Sequence, residues 1–230
     1  MRKTLLVIVM LLSSGSAFAD SAKSFDGWYV GGNLGYGSGT NQDVSVSPGA
    51  GEPHGTPRDI DGTIGGIQAG YNWQLDNDIV LGVETGFSGA NISGGLNNPS
   101  HSSWYDEVDI NQAFNLNFKA GYAIGNWLPY VTAGLTVASM ELAKGCSVNP
   151  APAVQDCGTA FNTAIDDTRA GYNVGAGVEW KFSDNFSTAL EYRYTDLGES
   201  DAFTPVGAND AYPKFKTDYS EVTLRVNYYF

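Results

Sequence analysis

The chain has 230 residues, with 12 Lys and Arg against 25 Asp and Glu, a formal net charge of −13, 29 glycines and 13 tyrosines. That acidic balance excludes a nucleic-acid partner, because phosphate contacts need clustered Lys and Arg. The length suits one β domain, and no run reaches the ~20 apolar residues of a spanning helix, so any membrane insertion must use strands.

Arg2 and Lys3 precede an apolar run from Leu5 to Leu12 and the small-residue ending Ala17-Phe18-Ala19. This is the order of a secretory signal with its cleavage site. Residues 1–19 are therefore expected to be a signal peptide, and residues 20–230 the mature domain.

From residue 27 the sequence alternates with period two. Trp28, Val30, Leu34 and Tyr36 share one face of a first predicted strand, with Tyr29, Gly31, Asn33 and Gly35 on the other. Polar residues 37–61 follow, broken by Pro48, Pro53 and Pro57, which forbid regular pairing. Ile67, Ala69, Tyr71 and Trp73 mark a second strand, and after residues 74–78 the third carries Ile79, Leu81, Val83 and Phe87. A polar stretch over 89–109 leads to a fourth strand with Phe114, Leu116, Phe118, Tyr122 and Ile124 on one face. A short turn over 125–129 enters the fifth, with Val131, Ala133, Leu135 and Val137 facing outward. Residues 139–167 form the third long polar stretch, ahead of a sixth strand with Tyr172, Val174, Val178 and Trp180. A tight turn over 183–185 gives the seventh strand, Phe186 to Tyr194, and residues 197–217 the fourth long stretch. The closing strand reads Val222, Leu224, Val226, Tyr228, Phe230 against Thr223, Arg225, Asn227, Tyr229.

Eight strands with alternating long and short connections predict an all-β fold, an antiparallel up-and-down transmembrane barrel with four long extracellular loops and short periplasmic turns. The charges decide which face meets lipid. Glu84, Lys119, Glu179, Lys181, Glu191, Arg193, Glu221 and Arg225 all fall opposite the aromatic stripe. A soluble barrel would put its apolar face inside; here the apolar face is expected outside, against lipid. A basic residue on that face would cost about 2–4 kcal/mol at the midplane.

Several stretches carry a family likeness: Gly27-Trp28-Tyr29-Val30-Gly31-Gly32, Leu128-Pro129-Tyr130-Val131, and Leu190-Glu191-Tyr192-Arg193-Tyr194-Thr195-Asp196-Leu197-Gly198. The chain resembles the small outer-membrane β-barrel proteins of Gram-negative bacteria, the porin-like and opacity-type surface antigens. It is most similar there to the immunogenic, haemin-binding branch. The resemblance implies an outer-membrane surface protein, a monomer, in contact with lipid, lipopolysaccharide and host or surface ligands at its loops. Val226, Tyr228 and Phe230 are similar to the terminal signal read by the barrel-assembly machinery. A loop cysteine pair is not part of the shared pattern, so Cys146 and Cys157 are particular to this chain or its near relatives.

The eight inward charges balance, four acids and four bases. They read as a buried ion-pair network or, on a second reading, as the lining of a small-conductance pore. Cys146 and Cys157 sit in an exported, oxidising setting without a C-x-x-C motif, and a disulfide is expected. The two histidines, His54 and His101, lie in long polar stretches; the resemblance offers them as haemin ligands. Neither lies on a strand, so no catalytic constellation forms, no metal site is expected and the chain reads as a non-enzyme. No cofactor is called for beyond haemin as a bound ligand.

Overall fold

Period-two patterning produces strands long enough to span a bilayer, and their backbone polar groups must then pair within a closed sheet. The computed structural model describes residues 25–43, 58–97, 104–146, 161–200 and 215–230. Eight strands run β1 (Gly27–Asp43), β2 (Arg58–Gln74), β3 (Ile79–Asn97), β4 (Trp104–Tyr122), β5 (Trp127–Cys146), β6 (Phe161–Lys181), β7 (Phe186–Ser200) and β8 (Phe215–Tyr229). Each pairs antiparallel with the next, and β8 closes on β1.

Following Cα partners around the barrel from Tyr29 leads through Gly70, Glu84, Asn117, Gly134, Asn173, Thr195 and Tyr219. The path returns to β1 at Gly39, ten residues further along. With the usual strand spacing and rise, that stagger tilts the strands by about 40°. At this size the interior is filled by side chains.

The short connections and the chain's C-terminus share one end, here the turn end. The Asp78 turn is closed by Leu75 N–H to Ile79 O at 2.8 Å and Asp78 N–H to Leu75 O at 3.0 Å, with Asp78 at φ 63. Gly125, at φ 59, lets the chain reverse between β4 and β5, where Ile124 bridges Trp127. The fifth strand thus starts at Trp127 and takes Pro129 into its register opposite Val178, where the sequence had suggested a turn through 129.

The strands also run well past the predicted bounds at the far end. Residues 37–43 and 58–61, read from sequence as loop, belong to β1 and β2, and the other three long polar stretches lose residues to strands likewise. The physical reason is a reversal of pattern. Over the lipid-facing zone the apolar side chains point outward, as with Leu34, Phe118, Leu135 and Leu224, at 69, 68, 63 and 57% exposure. Beyond it the apolar residues turn inward: Ile60, Ile64, Ile92, Ile110, Ala138, Met140, Leu197 and Tyr219 form a buried cluster. The outward positions at that level are polar, as in a soluble barrel. Bulges between Gly89 and Ile92 and between Ile110 and Gln112 lie at this level and shift the register locally.

A second apolar layer fills the turn end. Phe25, Tyr29, Val80, Ala123, Leu128, Tyr130 and Tyr229 pack together, Phe25 fully buried and held by its N–H on Gln74 Oε1 at 2.8 Å. Outside, aromatic rings girdle the same end, including Trp28 on Tyr71, Trp127 on Trp180 and Phe186 on Tyr228.

Candidate functional site: a charged ladder inside the barrel

Alternation sends every second residue of each strand into the lumen, and the stagger sets charges from different strands at successive depths. Glu221 of β8 meets Arg193 Nη1 of β7 at 3.3 Å. Arg193 also pairs with Glu191, its neighbour two residues down the same face. Glu191 Oε2 takes Arg225 Nη1 at 2.5 Å, and the other arm of that guanidinium reaches Glu84 on β3. Lys119 of β4 continues the run, 4.0 Å from Glu84 and 3.5 Å from Glu179. Acid and base thus alternate from Glu221 to Glu179, and all seven side chains are buried.

Neutral donors serve three of the acids. Tyr29 Oη donates to Glu84 at 2.6 Å and Tyr130 Oη to Glu191 at 2.7 Å. Glu179 Oε1 accepts from Ser187 at 2.6 Å, Tyr229 at 2.8 Å and Asn227 at 3.1 Å. The Lys119 ammonium lies 4.8 and 4.7 Å from the centres of the Tyr29 and Tyr130 rings. Lys181, the eighth predicted charge, sits at the turn end with its Nζ 3.9 Å from the Tyr229 ring centre and 5.4 Å from that of Phe25. Buried ions need this density of partners, because an uncompensated charge in a low-dielectric interior is strongly destabilising.

A polar cavity of about 10 Å³ remains beside the ladder, lined among others by Asn33, Gln68, Asn117, Glu221 and Arg225. That volume holds about one water. Buried Asn117 Oδ1, Arg193 Nε and Arg225 Nε lack protein partners among the described residues, and a water is the natural complement for such groups.

All eight predicted inward charges therefore lie inside the barrel, seven on the ladder and Lys181 beneath it. Sequence reasoning missed the three tyrosines that serve the acids. Parity was the signal: Tyr29, Tyr130 and Tyr229 occupy the inward positions of their strands, opposite the lipid-facing aromatics. It also missed Arg169, buried on β6, whose Nε meets Asp167 at 2.7 Å and whose Nη1 reaches Thr217 at 3.3 Å. Val226, Tyr228 and Phe230 stand on the lipid face of β8 at 48, 38 and 75% exposure. His54, His101 and Cys157 lie outside the described residues; Cys146 ends β5, its backbone opposite Trp104 and Phe161. No cluster of potential metal ligands exists among the described residues.

The model of the outer membrane protein beta-barrel domain family matches residues 5–230. The chain is 30% identical to the 31 kDa outer-membrane immunogenic protein of Brucella melitensis over 97% of its own length and 91% of that protein's. It is 32% identical to the 22 kDa outer membrane protein of Rhizobium leguminosarum, over 78% of this chain and 68% of that one. Among solved structures, OprG of Pseudomonas aeruginosa shares the fold at a TM-score of 0.53 and 10% identity, covering 91% of this chain and 99% of that one. A closed eight-stranded barrel with an apolar belt, matched by that model over nearly its whole length, the chain belongs to the outer membrane protein β-barrel domain family and resides in the outer membrane.

Proposed function

We propose that this protein is a sealed outer-membrane anchor that displays its far-end strand extensions and connecting segments at the cell surface for interaction, without conducting solutes and without catalysis. The observation that carries this reading is the layering of the lumen: an apolar plug at the far end, the charged ladder at mid-depth and an aromatic plug at the turn end. A pore would need a continuous wet path, and both apolar layers interrupt one. The naming of the Brucella relative as outer-membrane and immunogenic supports surface display.

The orientation places the short turns in the periplasm and the extensions outside, as in other barrels of this type. Single cysteines at Thr40 and at Asp184, in a background where Cys146 and Cys157 are serine, test it with a membrane-impermeant thiol reagent on intact cells. Thr40→Cys is expected to label and Asp184→Cys to stay unlabelled until the envelope is opened; labelling of Asp184→Cys in intact cells would reverse the reading.

The finer readings offered by the resemblance, a haemin receptor using His54 and His101 and a small porin, have separate tests. Haemin affinity unchanged in the double variant His54→Ala/His101→Ala removes the receptor reading; the porin reading is tested by conductance.

A further inference from the structure

The turn end of the lumen is closed by a side chain that belongs to no strand. Phe25 is fully buried in the turn-end cluster, yet it comes from the chain ahead of β1. The pocket around it is built by strand residues. Tyr229 on β8 stands edge-on to the Phe25 ring at 6.4 Å, and the Lys181 ammonium on β6 lies 5.4 Å from the ring centre. Tyr229 is itself fixed, its Oη donating to Glu179 at 2.8 Å and accepting from Asn72 Nδ2 at 3.2 Å. The barrel thus supplies the pocket, and a short strap carries the ring that fills it.

The strap is clasped to the end of β2 by a reciprocal pair of hydrogen bonds. Phe25 N–H donates to Gln74 Oε1 at 2.8 Å, and Gln74 N–H donates to Asp26 Oδ1 at 3.0 Å. One glutamine holds two successive residues, so both bonds form and break with the same movement. Asp26 is exposed and Phe25 buried, so the clasp spans the rim of the mouth. At Gly27 the chain enters β1, whose ladder with β2 begins there opposite Asn72. Gly27 sits at φ 110, a conformation that favours glycine. The junction of a rigid ladder with an off-ladder segment is where a hinge rotation is absorbed.

We propose that Phe25 and Asp26 form a lid hinged at Gly27, which leaves and re-enters the turn-end mouth as a unit while the barrel stays folded. Docked, the Phe25 ring covers Lys181 and Tyr229; undocked, it opens both groups to solution on the turn side. Gln74 is the catch. The lid lies at the end opposite the displayed extensions and goes beyond the surface-display reading.

The test uses the full mature chain refolded in detergent micelles, with backbone amide exchange followed by NMR. Local opening exchanges amides faster than global unfolding does. Corrected for intrinsic rates, the Phe25 and Gln74 amides are expected to exchange alike, about tenfold or more faster than the mid-strand Leu224 amide. Asp26→Ala removes the acceptor of Gln74 N–H and leaves that of Phe25 in place; a single clasp still speeds the Phe25 amide about fivefold or more. Gln74→Ala removes the acceptor of Phe25 N–H and is expected to speed the amide of residue 74 in turn. A second readout is access to the pocket. Ala189→Cys, at a buried position of the turn-end cluster, in the background with Cys146 and Cys157 as serine, is expected to react with a small uncharged thiol reagent. Its rate is expected to rise in either clasp variant by about the same factor, with the shift in gel mobility on boiling retained.

A Phe25 amide unchanged in Asp26→Ala would overturn the proposal, because the two bonds would then be independent. Exchange of Phe25 and Gln74 only at the Leu224 rate would overturn it too, as would labelling of Ala189→Cys that is the same with and without the clasp. Thr40→Cys labelling in cells reads the opposite end, so a failure of surface display and a failure of the lid are told apart.

Discussion

Arg225 on β8 and Glu84 on β3 form an ion pair across the lumen, 141 residues apart in sequence and separated around the wall by β1 and β2. The same guanidinium binds Glu191 on β7. One side chain thereby ties three strands at mid-depth, and the arginine fork suits it because two acids approach from different sides.

Arg225→Gln leaves both Glu84 and Glu191 short of a buried partner. The expected loss is about 3–5 kcal/mol, read as a lower urea midpoint for the shift in gel mobility between folded and boiled protein. Arg225→Lys keeps the charge without the fork and is expected to fall between the two.

Replacing Glu84 and Arg225 together with Gln and Met removes the charges on both sides of one bond. Buried pairs swapped for uncharged groups cost far less than a single orphaned ion, so the double variant is expected to be more stable than Arg225→Gln alone. A double-mutant cycle measures the coupling, and additive losses would mean that the pair contributes nothing specific.

Close backbone approach makes two inward glycines differ. A Cβ at Gly134 would stand 2.1 Å from the Leu116 carbonyl oxygen and 2.7 Å from Asn117 Cα, whereas one at Gly86 would meet nothing nearer than 3.6 Å. Gly134→Ala is expected to cost about 1–3 kcal/mol and Gly86→Ala under about 1 kcal/mol, by the same mobility assay.

The eight strands and their faces were legible in the sequence, because a period of two with charges confined to one parity leaves a single consistent choice of lipid side. The strand ends were not. At the far end the apolar parity switches, from outward Ile67 to inward Ile64 and Ile60 on β2, and from outward Val137 to inward Ala138 and Met140 on β5. A search for one continuous greasy face stops at that switch and takes the rest for loop. The membership of the ladder followed from parity, but its pairings did not. Which acid meets Arg225 depends on the ten-residue stagger around the barrel, which is written in no local pattern.

Phe230 at the end of β8 is 75% exposed on the lipid side, so its removal costs little packing inside the barrel. If the terminal residues act as an assembly signal, Phe230→Ala is expected to lower the amount of protein reaching the outer membrane in cells while leaving refolding in detergent unchanged. Equal loss in both settings would assign Phe230 to stability instead.

We propose that apolar layers close the lumen at both ends around an ion-paired ladder. Single-channel recording of the refolded mature protein in a planar bilayer tests it most directly, beside Arg225→Gln and a variant opening the turn-end plug, Phe25→Ala/Tyr229→Ala. No steady conductance is expected from the parent, with current steps only when the ladder or plug is broken. Stable ion-conducting levels in the parent protein would contradict it and return the charged interior to the role of a pore.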